Sequence, residues 1–435
     1  METNLLTYWE HYEDVLKIEH QNFLLEEKYN YDFSKPKGPV SCFSIYKKGD
    51  NLHVSTSYCI GVDWLDEINA IYIEPKLNTK SKHETAEIVE INYLEMLFAS
   101  LSNIKTQNDL DELFEIKWDK PEIQIHQTKD LLTPLLIIQY LNLLKVIVRK
   151  GLKKSYYKVE HNLNSKIKGK VLVGHTIKQN ILKNKQLYTY CRYDEFGENG
   201  LENRLLKKAL VFIKRYLPTF KSINTNDLTA DLFNFITPAF EKVSVEININ
   251  DIKHSKPNAF YKEYTEATRL AKLILKRFGY NIANVEKETI ATPPFWIDMS
   301  KLFEYYVLGL LKKQYPKYGE VKFQFNCHNS HEIDYLLKSG DLKLVIDAKY
   351  KPKYKYKKSI DKEDFRQISG YARLKKVYDE LNQKDFTKNI ECLVIYPDLE
   401  IKENDLLNLK TSENAIKKYV GFYKVGVSVP IIKKI

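Results

Sequence analysis

Two short apolar runs flank Ser339-Gly340-Asp341 in the stretch from His331 to Lys349, and the pattern predicts a β-hairpin. Gly340-Asp341 suits a two-residue loop whose first residue has positive φ. In that register Asp334 lies across from Asp347, and Lys349, two residues further on, shares their face. A loop one position earlier would keep the three together, whereas a three-residue loop or a bulge would separate them. Before the hairpin, the pattern predicts a helix from Asp298 or Ser300 to about Gln314, ended by Pro316. Its apolar stripe is Leu302, Phe303, Tyr306, Val307 and Leu310, with Glu304 on the flank. Val321 to Cys327 alternates as a half-buried strand. A helix is expected from about Asp361 to Leu381, then strands at Ile390–Tyr396 and near Phe422–Val429. The order α-β-β-β-α-β describes an α/β domain with a mixed central sheet over residues 291–435.

Earlier parts of the chain read less sharply. Residues 1–130 look like a strand-rich, mixed α+β domain. A hairpin is expected across Gly49-Asp50-Asn51, a strand at Asn69–Lys76, and a helix from Thr85 to about Ser100. Residues 131–290 read as a helical, mixed region. Strands surround Lys168–Gly174, and helices are expected near Leu201–Tyr216 and Phe260–Phe278. On the last, Tyr264, Ala267, Leu270, Ala271 and Ile274 fall on one face. Arg204, Lys207 and Lys208 read as a solvated face that could also touch DNA. The apolar run Leu131–Val148 is broken by Pro134 and a polar stripe of Gln139, Asn142 and Lys145, which favours a buried helix over a membrane span. No signal peptide is evident, and a cytoplasmic protein without membrane association is expected.

Charge changes the picture in one place. Against 68 Lys and Arg the chain carries 57 Asp and Glu, a formal net charge of +11. From Leu342 to Lys376 alone there are ten Lys and two Arg against four acids. Here Lys349, Lys351, Lys353, Lys355, Lys357 and Lys358 interleave with Tyr350, Tyr354 and Tyr356, a pattern that favours a phosphate backbone as partner. Arg366 and Arg373 extend the patch onto the following helix. The five cysteines are scattered and form no C-x-x-C pair, which argues against a disulfide framework or a zinc ribbon. Cys327, His328 and His331 have no second pair at finger spacing and read as loop residues.

The candidate chemistry centres on the hairpin. Two carboxylates and an ammonium on one patch make a divalent-metal site beside a general acid/base group. Gln367 and Tyr371, at i and i+4, form a row with Leu374, Tyr378 and Leu381 that should face inward toward the hairpin. Ile333-Asp334, Asp347-Ala348-Lys349 and Gln367-x-x-x-Tyr371, with helical Glu304 upstream, together resemble the PD-(D/E)xK nuclease superfamily. The Gln-x-x-x-Tyr element is similar to that of RecB-like members. Ile333 stands where the motif has Pro, a position that supplies no ligand.

A broader resemblance covers Phe295-Trp-Ile-Asp-Met-Ser-Lys-Leu-Phe-Glu-Tyr-Tyr306 followed by Val345-Ile-Asp-Ala-Lys-Tyr-Lys351. These segments resemble the McrC type of nuclease subunit from McrBC-type, modification-dependent restriction systems. Ile167-Lys-Gly-Lys-Val, Glu202-Asn-Arg and Ile73-Glu-Pro-Lys76 are similar but less specific. The resemblance implies a DNA endonuclease using Mg²⁺, with Mn²⁺ able to substitute. Asp334, Asp347 and the Ala348 backbone carbonyl would hold the metal. Lys349, Glu304, Gln367 and Tyr371 would complete the catalytic group. Lys351, Lys353, Lys355, Lys357, Lys358, Arg366 and Arg373 would contact double-stranded DNA. It also implies a partner, a McrB-like AAA+ GTPase hexamer that the N-terminal half would dock on and stimulate. This chain has no G-x-x-x-x-G-K-[ST] loop, so no nucleotide is expected on it. The alternatives are a non-catalytic DNA-binding activator of the GTPase and a stand-alone RecB-like repair nuclease.

Overall fold

The first sheet is assembled from distant parts of the sequence. Its strands are β1 (Asn4–Trp9), β2 (Cys59–Trp64), β3 (Asn69–Glu74), β4 (Phe114–Ile116) and β5 (Phe295–Asp298), in the order β1-β3-β2-β5-β4. β1 runs parallel to β3, and the other pairs are antiparallel. Phe295, Trp296 and Ile297 are wholly buried, so this apolar triplet is driven to the sheet interior rather than to a domain linker. Trp296 lies across from Gly61. A Cβ on Gly61 would stand 2.1 Å from the Phe295 carbonyl oxygen, so only glycine lets the two backbones meet.

The computed structural model describes residues 4–16, 29–78, 88–100, 103–104, 106–126, 130, 132–219, 225–248, 261–283, 289–327, 332–355, 359–401 and 404–432. The chain forms two compact units, one from Met1–Leu132 with Glu288–Ile435, the other from Thr133–Lys221 with Thr225–Lys287. Residues 1–130 and 291–435 therefore share one unit instead of forming separate domains, because β5 belongs to the N-terminal sheet.

The expected N-terminal hairpin is present as Val40–Lys48 and Asn51–Thr56. Glu13–Val15 and Tyr29–Phe33 complete a four-stranded antiparallel sheet around it. The helix expected from Thr85 is shorter, Tyr93–Ser100. Asn92 sets its start by accepting a hydrogen bond from the Glu95 N–H. Ile88–Glu90 pairs instead with Lys76–Asn78, and Thr85 lies outside the described residues.

In the other unit, Leu132–Lys150 is long and apolar enough to cross a membrane by length and composition, but 72% of its apolar window is buried in protein. Helices Leu201–Tyr216 and Lys262–Ala283 appear where expected, and Tyr264, Ala267, Leu270, Ala271 and Ile274 are all buried. Ser155–Asn164, Lys170–Val171 and Tyr188–Gly197 form a three-stranded sheet. The expected strand through Gly174 is replaced by a short helix, Val173–Gln179, which Thr176 fastens to the sheet by accepting the Tyr190 N–H. Arg204, Lys207 and Lys208 donate to the carbonyls of Asn199, Val243 and Ile247, so these cations fix neighbouring backbone.

The last third carries α1 (Met299–Gln314), then β6 (Val321–Asn326), β7 (Glu332–Ser339) and β8 (Leu342–Ala348). α2 (Lys362–Tyr371) and α3 (Lys375–Glu380) precede β9 (Glu391–Pro397) and β10 (Phe422–Val427). The sheet order is β6-β7-β8-β9-β10, antiparallel through β8 and parallel from β8 to β10. The single helix expected over Asp361–Leu381 breaks after Tyr371. Leu374 is extended there, and the break lets Ile368, Ala372, Val377 and Tyr378 all reach one core. On α1 the buried stripe is Leu302, Phe303, Tyr305, Val307, Leu308 and Leu311; Tyr306 and Leu310 are only half-buried.

Gly61→Ala should lower the stability of the first unit by roughly 3 kcal/mol through the clash with Phe295. Guanidinium unfolding monitored by tryptophan fluorescence would read this, since all four tryptophans lie in the first unit, and an unchanged midpoint would show that β2 and β5 can separate freely.

Candidate active site

Gly340 takes φ +56°, and Ser339 pairs with Leu342, leaving Gly340-Asp341 as the two-residue loop. The register that pairs Tyr335 with Ile346 continues to place Asp334 opposite Asp347. β8 is central in its sheet, and Leu344 through Ala348 are buried without interruption. Val394, the register partner of Asp347, packs with Val345 in the core that α2 and α3 cover. The hairpin thus carries two carboxylates into an apolar setting.

Their local bonds are few. Asp334 Oδ2 accepts the Ala348 N–H at 2.8 Å. Asp347 Oδ2 faces the Lys349 ammonium at 2.9 Å as an ion pair without a well-directed hydrogen bond. Lys349 Nζ also donates to Gln367 Oε1 at 3.1 Å, and Gln367 Nε2 donates to the Tyr371 hydroxyl at 3.2 Å. Gln367 is exposed and Tyr371 half-buried, so these two lie at the margin of the core, whereas Tyr378 and Leu381 of the same expected row are buried in it. Asp334, Asp347, Lys349, Gln367 and Tyr371 nonetheless form one connected cluster.

Glu304 joins this cluster electrostatically. Burial first, and then the nearby Asp334 charge, push its pKa up to about 8, against the pull of Lys301. Burial and the Asp347 charge raise Asp334 to about 7, and burial raises Asp347 as well. Lys349 moves upward although burial opposes its charge, because Asp347 and Asp334 favour the ammonium. Lys301 is a second cation of the site that the sequence reading missed. It reaches Glu304 at 2.5 Å and is held upward by Glu304 and Asp334 against its own burial. Its spacing of three from Glu304, on a helix capped by Asp298, was the available signal. Gln324 was missed too. It stands across from Asp334 on β6 with φ +51°, where the ladder is interrupted, and its Nε2 is buried without a hydrogen-bond partner among the described residues.

Among the described residues no three His, Cys, Asp or Glu side chains form a ready-made metal cage. A cation here would take few protein ligands, which suits Mg²⁺ better than a closed site. The donor set fits such an ion. Asp334 and Asp347 are hard oxygen ligands that repel one another; Asp334 is half-buried, Asp347 is buried, and Asp347 Oδ2 has no hydrogen bond among the described residues.

The basic segment is less open than its composition suggests. Lys351 pairs with Asp364 at 2.8 Å and with Asp361 at 3.6 Å, and Lys353 pairs with Asp361 at 3.4 Å. Lys355 pairs with Asp398 at 2.9 Å and with Glu400. Arg366 and Arg373 are exposed. Lys357 and Lys358 lie outside the described residues, as do His328 and His331; Cys327 is buried and free.

A family model described as "McrBC 5-methylcytosine restriction system component" matches residues 55–397. Among solved structures, the chain is similar to a half-complex from a tetradecameric assembly of Thermococcus gammatolerans McrB AAA+ hexamers with bound McrC. That match has 14% identity and a TM-score of 0.36, covering 98% of this chain and 94% of the other. The Thermococcus gammatolerans McrBC complex matches at 17% identity with a TM-score of 0.27, covering 72% of this chain and 89% of the other. No curated protein matches.

Folding raises the carboxyl pKa values of Asp334 and Glu304 above those of the unfolded chain. The folded state therefore binds more protons from about pH 4 to pH 8, and stability falls as pH rises through that window. In EDTA, the melting temperature of Asp334→Asn should fall less steeply over this range than that of the parent. Equal slopes would show that folding does not raise the Asp334 pKa.

Proposed function

The chain belongs to the McrBC family of 5-methylcytosine restriction system components, and we propose that it is the McrC-type nuclease subunit, a metal-dependent DNA endonuclease. The observation that carries this reading is the hairpin register, which opposes the half-buried Asp334 to the buried Asp347 beside an ion-paired lysine. Asp334, Asp347 and the Ala348 carbonyl would hold Mg²⁺, or Mn²⁺ in its place. Such an ion, when bound, supplies an acidified water and draws charge from the phosphate.

The remaining steps belong to the protein. With its pKa raised, Lys349 stays an ammonium. Its role is to orient the attacking water and stabilise negative charge developing on the phosphoryl oxygens, not to accept a proton. Gln367, bonded to both Lys349 and Tyr371, holds that ammonium at the rim where a strand of DNA would enter. Glu304 is engaged by Lys301 and shapes the charge of the site instead of ligating the ion directly. Arg366 and Arg373 contact the DNA backbone. Lys351, Lys353 and Lys355 first hold their own segment in place through their acidic partners.

Since the chain lacks a phosphate-binding Gly-x-x-x-x-Gly-Lys loop, the nucleotide motor is a separate McrB-like AAA+ GTPase hexamer. That partner would bring this subunit to modified DNA and be stimulated by it.

Asp347→Ala should abolish Mg²⁺-dependent cleavage, measured with the partner, GTP and methylated DNA, while the variant still co-purifies with the partner. Residual metal-dependent nicking by that variant would refute the assignment. Arg366→Gln with Arg373→Gln should flatten the plot of log affinity against log salt by roughly two units, about one per lost phosphate contact. A slope equal to the parent's would remove these arginines from the DNA path.

A further inference from the structure

The C-terminal segment does not supply the whole framework of its own site. Three side chains from the N-terminal part of the chain reach the elements that carry it. Glu10 accepts a hydrogen bond from the Tyr350 hydroxyl at 3.2 Å, across 340 positions of sequence. Tyr350 directly follows Lys349. Lys35 pairs with Asp298, the N-cap of the helix that bears Lys301 and Glu304, and both partners are almost wholly buried. Lys37 pairs with Glu332, two residues before Asp334, at 2.6 Å. This last pair is half-exposed and contributes little. The first two are shielded from water.

Tyr350 is fixed on several sides. Its ring lies 5.7 Å from Tyr58, on the N-terminal part of the chain, and 5.7 Å from Phe303 of α1. Its hydroxyl ends on Glu10, which is 2% exposed. The second Glu10 oxygen is buried with no hydrogen bond among the described residues. A buried carboxyl with one oxygen unsatisfied costs stability that an apolar residue there would not. Such a local cost is expected where a residue serves a site and not only the core.

We propose that Glu10 and Lys35 are positioning residues of the nuclease site. Through Tyr350 and Asp298 they fix the strand end bearing Lys349 and the helix bearing Glu304. The inference rests on the nuclease reading of the hairpin. The N-terminal sheet is then part of the cleavage machinery as well as a partner-facing domain.

The test uses the full-length chain with its partner, GTP and methylated DNA. It compares Tyr350→Phe, Glu10→Ala, Lys35→Met and Glu10→Gln. Single-turnover cleavage is measured at saturating DNA, DNA affinity in Ca²⁺, Mn²⁺ affinity by calorimetry, and folding by thermal melting. Tyr350→Phe, Glu10→Ala and Lys35→Met should each slow cleavage about tenfold or more, with DNA affinity within about twofold, because a small misplacement of reacting groups is costly. The Tyr350→Phe, Glu10→Ala double variant should be no slower than either single one. Glu10→Gln keeps a carbonyl acceptor for Tyr350 and should recover most of the rate. Variants that melt earlier yet cleave at the parental rate would overturn the proposal, assigning these residues to stability alone. If Glu10→Ala does not fold, Tyr350→Phe, which removes one oxygen, decides. A parent that does not cleave at all overturns the nuclease reading instead. In that case Mn²⁺ affinity decides the proposal: weakened at least about threefold in Tyr350→Phe it supports positioning, unchanged it refutes it.

Discussion

Crowded, poorly solvated negative charge governs the C-terminal half of this protein. Asp334, Asp347 and Glu304 are drawn together by a hairpin and a helix whose apolar faces must be buried. Desolvation dominates the pKa of each, and their mutual repulsion adds to it. Two ammoniums, Lys349 and Lys301, and one backbone N–H answer three carboxyls, so the patch stays short of positive charge. Leucines in the same places would make a more stable sheet. The site instead stores an unfavourable arrangement of charge, a common trade of stability for chemistry.

The same accounting explains the basic segment after β8. In composition it looks like a surface kept free for phosphates. In the fold, Lys351 and Lys353 share Asp361 and Asp364 with the Tyr354 hydroxyl, and Lys355 takes Asp398 and Glu400. Lys424 donates to the Tyr354 carbonyl from β10. The lysines therefore act first as a fastening for the chain between β8 and α2. Among the described residues, Lys362, Arg366, Arg373 and Lys375 stay exposed at this margin beside Gln367.

Features set by local periodicity were legible in the sequence. The hairpin followed from two apolar runs and a Gly-Asp turn, and its register alone brought Asp334 and Asp347 face to face. The helix after Asp298 followed from its cap and stripe. What was not legible depends on distant partners. Nothing near Phe295 says that its strand will pair with Gly61. The break between α2 and α3 answers to packing under the sheet, and Gln367, on the helix before it, is exposed at the rim. Lys301 and Gln324 reach the site only through elements whose relative placement the sequence does not state. The acids that occupy Lys351 and Lys355 lie on separate elements for the same reason.

The place of β5 also sets an order on the birth of the protein. Asp63 and Trp296, bonded across the completed sheet, are 233 positions apart. During synthesis β1, β2 and β3 emerge early, and the edge of β2 must stand unpaired while the whole intervening unit is made. Closing so long a loop is slow, though the thermodynamic penalty grows only gently with length. The hazard of mispairing is thus confined to one interval on the ribosome. It ends with the strand that leads directly into the helix bearing Glu304, so the edge is sealed only as the chain begins to build the elements that carry Glu304, Asp334 and Asp347.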